Sequence, residues 1–272
     1  MKNYRTVRIV LALLTFLALN SAFLDISEWG VKTCGWIAKW QFAPALLSLN
    51  MAVVTAWLAF TLVCGRHYCS IFCPLGVYQD IVARLTHRKA NKPYRPTTAW
   101  TKTRLTILVV SVALTVAGFL NVACLVEPYG TYGRIATELF APIYTGLNNA
   151  LASIAASRDS YAFGYVPLRP HSIAVLCLAL IAWSGVTIAA WKGGRWYCNA
   201  ICPVGTTLGY LNTISLNKVT LTDKCKACHQ CESLCKAGCI DITNKTVDSS
   251  RCVLCGRCWQ ICKFEGIKYG KR

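Results

Sequence analysis

CKACHQCESLC at residues 225–235 and CVLCGRCWQIC at 252–262 decide how the C-terminal end folds. Each run steps its cysteines at x2, x2 and x3, the spacing that holds a cubane [4Fe–4S] cluster. Three thiolates two residues apart wrap one corner of a cube, and the fourth, out of reach of that cube, ligates its neighbour. The spacing therefore predicts one cluster on Cys225, Cys228, Cys231 and Cys262, and a second on Cys252, Cys255, Cys258 and Cys235. Zinc is the competing occupant. Structural zinc sites use cysteine pairs separated by a long gap, so two evenly stepped runs argue against it.

Proline commonly follows the fourth cysteine of such a run, but Lys236 and Lys263 stand there in this chain. Proline shapes the turn without touching iron, so the fold is expected to survive. A cation beside a cluster favours the reduced, more negative form and raises the potential. Cys239 is a ninth cysteine, expected as a small buried side chain and not as a spare ligand.

Outside this module the chain is apolar. Of 272 residues, 55% are hydrophobic and 15% charged, too greasy for a soluble protein of this length. Seventeen cysteines would suggest disulfides in a secreted protein, but eight lie in the cluster runs and need a reducing compartment. Four apolar segments are predicted as membrane spans, at 7–24, 43–63, 105–126 and 173–191, each near the length a bilayer core requires. The first is read as a retained span and not a signal peptide, because no small-residue cleavage pattern follows it and Asp25 and Glu28 do.

The net charge of +18 is distributed as topology predicts, not as a nucleic-acid footprint. Residues 1–8 carry three basic groups and no acid; 64–104 carry eight against Asp80; the tail from 192 carries thirteen against five. The segments 25–42 and 127–172 are balanced, at two against two and three against three. Both termini and the basic central loop are thus expected in the cytoplasm, where that loop can also touch anionic lipid. In the outer loop, Leu139, Ile143, Leu147, Leu151 and Ile154 recur at helical spacing, predicting an amphipathic helix that lies on the membrane surface or packs on the bundle.

An internal repeat carries further chemistry. GRHYCSIFCPLG at 65–76 and GRWYCNAICPVG at 194–205 agree at seven of twelve positions, and each follows a predicted span. Each C-x3-C-P places two thiols about one helical turn apart. A parallel pseudo-twofold arrangement of the halves would bring Cys69 and Cys73 to face Cys198 and Cys202. Four soft ligands at one interface predict a third [4Fe–4S] cluster; zinc in the same cage and metal-free redox thiols are the alternatives. Pro74 and Pro203 are placed to start helices, and Gly76 and Gly205 to allow close packing. Arg66 and Arg195 recur as well, either offsetting cluster charge or serving as positive-inside anchors.

With these motifs the sequence resembles the NapH-type membrane ferredoxins, related to the membrane part of NosR. The resemblance covers nearly the whole chain and rests on Cys69, Cys73, Cys198, Cys202 and the eight ferredoxin cysteines. It implies a polytopic α-helical membrane protein of four transmembrane helices in two pseudo-repeats, with a C-terminal α+β two-cluster ferredoxin domain. The expected units are 1–104, 105–216 and 217–272, in the cytoplasmic membrane of a bacterium. It also implies a quinol-oxidising, iron–sulfur electron-transfer subunit feeding redox partner subunits, as in nitrate or nitrous oxide reduction. The periplasmic flavin domain of NosR has no counterpart here, implying a stand-alone subunit. The competing function is an electron-donating maturation factor for a metalloenzyme, and neighbouring genes would separate the two.

Haem is not expected, since none of His67, His87, His171 and His229 is central in a span. Quinone sites are apolar pockets with a few proton-handling groups. Candidates are Glu28, Glu127 and His171 towards the outer edge and His67, Tyr68 and Asp80 towards the inner. Cys34 and Cys124 are read as isolated structural cysteines, with a disulfide or a metal site shared with another subunit as alternatives. Cys64 and Cys177 carry no assigned role.

Overall fold

The computed structural model describes residues 3–24, 29–90, 93–94, 97–158, 164–167 and 172–271. Helix α1 (Tyr4–Phe23) is mostly apolar after Arg5 and Arg8 in its first turns, and α2 (Trp29–Lys39) packs along it. The stretch 43–63, expected as one span, is two helices, α3 (Phe42–Leu47) and α4 (Met51–Cys64). The break is local. Leu49 adopts a left-handed φ of 55°, and Asn50 restarts the helix by accepting a bond from the Val53 amide at 3.4 Å. A single turn, α5 (Tyr68–Ile71), leads into α6 (Pro74–Ala90), with the proline at its first position as expected.

The second half repeats this order. Helix α7 (Thr101–Val116) stops before Gly118, whose φ is 84°, short of the predicted end at 126, and one turn, α8 (Leu120–Ala123), follows. Next come α9 (Pro128–Ile135), a π-helical turn at 136–140 and α10 (Ala141–Ala156), a continuous helical run. Then α11 (Ile173–Gly193), α12 (Trp196–Ala200) and α13 (Pro203–Thr213) correspond to α4, α5 and α6. Among the described residues, α1 and α11, at 20 and 21 residues, are long and apolar enough to cross a bilayer. Helices α4 and α7, at 14 and 16 residues, are shorter than the roughly 20 a span requires. The expected four uninterrupted spans are therefore two long helices and two broken segments.

The loop helix takes the second of its two expected placements at its start and packs on the bundle. Its start is in the core, where Thr131, Tyr132, Ile135 and Ala136 are fully buried and the Tyr132 hydroxyl donates to Asn20 at 2.8 Å. Only its later part is peripheral, with Ile143, Leu147, Leu151 and Ile154 all exposed. A buried cap explains the entry. Glu127 accepts from the amides of Tyr129 and Gly130, and Pro128 begins the helix.

The two halves interlock. Helix α6 packs on α11 and α13 on α4, so each half's last helix rests on the other half's apolar helix. Against this body sits the C-terminal ferredoxin domain, made of β1 (Asn217–Leu221), α14 (Gln230–Ser233), β2 (Ile240–Asp241), β3 (Thr246–Val247), α15 (Arg257–Ile261) and β4 (Ile267–Lys271). Strands β1 and β4 pair antiparallel with Val219 opposite Tyr269, and β2 pairs with β3 with Ile240 opposite Val247. Its core joins Val219, Ile240, Ile242, Leu254 and Ile267 to the buried cysteines.

Candidate metal centre

Cys69, Cys73, Cys198 and Cys202 are each no more than 3% exposed. Cys69 lies in α5 and Cys198 in α12, while Cys73 and Cys202 precede the prolines that open α6 and α13. The structure brings the two motifs together through their arginines. Arg66 donates from Nε to Cys69 Sγ at 3.2 Å and from Nη2 to the Cys198 carbonyl at 3.0 Å. In mirror fashion Arg195 donates from Nη1 to the Cys69 carbonyl. Gly76 and Gly205 make room for this exchange. A Cβ on Gly76 would collide with the Cys69 carbonyl and lie 2.9 Å from Arg195 Nη1; one on Gly205 would collide with the Cys198 carbonyl and lie 2.6 Å from Arg66 Nη2. Two further donors reach sulfur: Gln79 Nε2 to Cys198 Sγ at 3.1 Å and the Gly205 amide to Cys202 Sγ at 3.2 Å.

The charge around these thiols is lopsided. Arg8, Arg66, Arg104, Arg195 and Lys236 are all at most 7% exposed. Asp80 meets three of them: Arg195 Nε at 2.6 Å, Arg8 at 3.5 Å and Lys236. Burial alone would raise its carboxyl pKa, but Arg195, Lys236 and Arg8 together hold it well below the usual carboxylate range. Gly209 stands in the second half where Asp80 stands in the first, and the carbonyl of Ser250 fills the space its Cβ would take. Arg66 Nη1 and Arg104 Nη2 both donate to that carbonyl, at 3.2 and 3.4 Å. The Arg66 guanidinium is fully buried and meets only the Cys69 thiol, the Asn199 amide oxygen and the carbonyls of Cys198 and Ser250, and an uncompensated buried charge is costly, so it calls for an anion beside it. Four thiolates around an iron–sulfur cube supply one, so these residues fit the group. Among the described residues no three His, Cys, Asp or Glu side chains could share a single metal ion.

The ferredoxin cysteines lie on two loops of the same shape. The first has left-handed residues at Ala227 and His229, the second at Leu254 and Gly256. Alternating left-handed residues turn successive amides inward and form an anion-binding hollow, which fits a cluster. The two loops differ in setting. Cys255 and Val253 pack on the helical core, whereas Cys228 is exposed. The set Cys252, Cys255, Cys258 and Cys235 therefore adjoins the helices, and the set Cys225, Cys228, Cys231 and Cys262 lies at the outer edge. Cys239 is buried as expected, with its Sγ 3.5 Å from that of Cys235.

Lys236, in the place of the usual proline, joins the domain to Asp80, and its carbonyl accepts from the Arg195 amide at 2.8 Å. On the other side Asn217 Nδ2 reaches the Val63 carbonyl at 2.8 Å, and Tyr269 reaches that of Cys64 at 2.7 Å. Of these docking residues, Arg8 and Arg104 read in sequence as ordinary inner-face charges. Ser250 and Gln79 carried no signal. Arg66 and Arg195 pointed to the site by their repetition, and Lys236 by its place after Cys235.

The residues considered for quinone do not converge. His67 lies among Tyr4, Phe60 and Tyr269 at the domain junction. Tyr68 is 1% exposed and donates to Gln41 at 2.8 Å. Glu127 is 8% exposed, and burial raises its carboxyl pKa to about 7 against the opposing pull of the Gly130 and Tyr129 amides. His171 and Glu28 lie outside the described residues. Cys34 and Cys124 are free thiols, as are Cys64 and Cys177.

A 4Fe-4S binding domain model matches the chain twice, at residues 47–93 and 176–221, which are the two halves of the internal repeat. A second 4Fe-4S binding domain model matches residues 245–268, the later cluster run. No curated protein and no solved structure matches the chain. The chain thus carries 4Fe–4S binding domains of ferredoxin type, as iron–sulfur proteins do, in both interlocked halves and in the C-terminal module.

Proposed function

We propose that this chain is a membrane-bound iron–sulfur electron-transfer subunit that links the quinone pool to a redox partner, with three [4Fe–4S] clusters in series. One observation carries this reading: the buried four-cysteine site is clamped, through Arg66, Arg195 and Asp80, to the residues beside Cys235 and Cys252. When bound, the clusters pass single electrons. The chain's own residues prepare that passage. Arg66 and Arg195 offset the thiolate charge and tie the halves together, Gln79 and the Gly205 amide orient two sulfurs, and the packed helices exclude water. Lys236 and Ser250 hold the ferredoxin domain against the site, leaving the Cys225 loop at the free edge, open to a partner subunit.

The apolar helices α1 and α11, together with the broken segments at 42–64 and 101–126, support a four-segment membrane body, and the excess of basic residues in 1–8, 64–104 and the tail supports both termini on the cytoplasmic side. The test adds a menaquinol analogue anaerobically to the oxidised protein and follows cluster reduction by electron paramagnetic resonance. Reduction is expected. No reduction in either direction would remove the quinone link and favour the maturation role.

A further inference from the structure

A cavity of about 500 Å³ opens between α3 and α4 on one side and α7 and α13 on the other. Its walls are almost wholly apolar. Its mouth is rimmed by Leu46, Leu49, Val112 and Val116, all exposed. Its polar groups are few: Ser111, Thr115, Thr207, Cys124 and the carboxylate of Glu127. Thr115 and Thr207 spend their hydroxyl protons on backbone carbonyls one turn back, at 2.8 and 3.1 Å. Each Glu127 oxygen accepts one backbone amide, and each retains a further lone pair.

The cavity abuts the four-cysteine site. Pro203 and Val204 line it, and Cys202 immediately precedes them. Tyr197, one residue before Cys198, donates to the Val126 carbonyl at 2.9 Å, so the second motif is bonded to the segment that presents Glu127. We infer that this cavity is the binding site for the ring of an isoprenoid quinol, with the Glu127 carboxylate accepting a hydrogen bond from a ring hydroxyl.

Charge selects this occupant. Among the described residues no lysine or arginine lines the cavity, so a phospholipid phosphate finds no cation from them there. A neutral ring bearing hydroxyls suits one carboxylate in an apolar wall. An exposed apolar rim suits an isoprenoid tail that continues into the bilayer. The inference rests on the quinone-linked reading above and adds to it a place.

The experiment titrates 2-heptyl-4-hydroxyquinoline N-oxide, a fluorescent quinol analogue, into the full chain in lipid nanodiscs and reads quenching, with iron content measured on the same samples. Wild type is expected to bind one equivalent. Thr207→Phe obstructs the cavity, and Glu127→Gln replaces the carboxylate acceptor by an amide; each should weaken binding about tenfold or more. Leu46→Trp changes only the exposed mouth and keeps the test valid if an interior variant fails to fold. Unchanged affinity in Thr207→Phe and Leu46→Trp, with iron retained and menaquinol still reducing the clusters, would overturn the site and leave the quinone reading standing. Wild type that neither binds the analogue nor is reduced by menaquinol would overturn both. Loss of wild-type binding on adding phosphatidylglycerol would show an acyl-chain groove and overturn the site.

Discussion

Arg66 donates to the carbonyl of Cys198 at 3.0 Å, across 132 residues of chain. Because Arg195 returns the same bond to Cys69, neither half of the repeat can complete its cysteine site alone. Each half lends the other its arginine, and each has a glycine where that arginine passes.

Replacing Arg66 or Arg195 with alanine is therefore expected to cost both motifs. Each variant leaves buried acceptors without a donor, about 1–3 kcal/mol per lost partner, and removes a cation from beside the thiolates. Iron on anaerobically purified protein should fall from about twelve atoms per chain towards about eight, at four per cube. Iron unchanged in both variants would show that the arginines do not support the third cluster.

Gly76→Ala and Gly205→Ala test the same geometry without touching charge. The added methyl meets a backbone carbonyl and a guanidinium in each case. Overpacking of this kind costs roughly 1–3 kcal/mol. The two variants should lower the melting temperature by similar amounts, because the two contacts are equivalent. A glycine variant as stable as wild type would show that the halves separate easily.

Asp80→Asn leaves Arg8, Arg195 and Lys236 without their shared carboxylate. Breaking such a buried cluster is expected to cost about 3–5 kcal/mol. The sign of the pH effect follows from the lowered carboxyl pKa. The contribution is complete above the unfolded value of about 3.9 and fades as pH falls from there towards the folded one. Melting curves of wild type and variant should thus stay apart at neutral pH and converge only in strong acid. Curves that coincide at pH 7 would remove Asp80 from the docking interface.

Exposure predicts the order of oxidative damage. Cys228 is open to solvent, whereas Cys255 packs on the helical core. Brief exposure to air should first bleach the cluster held by the Cys225 loop and spare the one held by the Cys252 loop. Spectra of Cys225→Ser and Cys252→Ser samples assign the signals. Equal loss of both would mean the inner loop is not shielded.

Topology has its own test. A reporter active only outside the membrane should be silent when fused at residue 272 and active when inserted near 158. The reverse pattern would move every proposed cluster to the other side.

The cysteine runs, the twelve-residue repeat and the charge bias were legible in the sequence alone, because cluster ligation and membrane insertion depend on residue type and spacing along one short stretch. Pro74 and Pro203 open helices as read, and Gly76 and Gly205 sit where close packing was expected. The tertiary structure decided what depends on distant partners. Leu49 and Gly118 break segments whose hydropathy reads as continuous, since hydropathy does not register a left-handed residue. The helix after Glu127 begins inside the core because Tyr132 finds its partner on α1 and the Val126 carbonyl finds one on α12, which no local pattern encodes. The crossing of Arg66 and Arg195, the three cations on Asp80 and the substitution of the Ser250 carbonyl for a carboxylate at Gly209 arise only when three segments fold onto one another. A buried charge is satisfied by whatever lies nearest in space, and the sequence orders residues only along the chain.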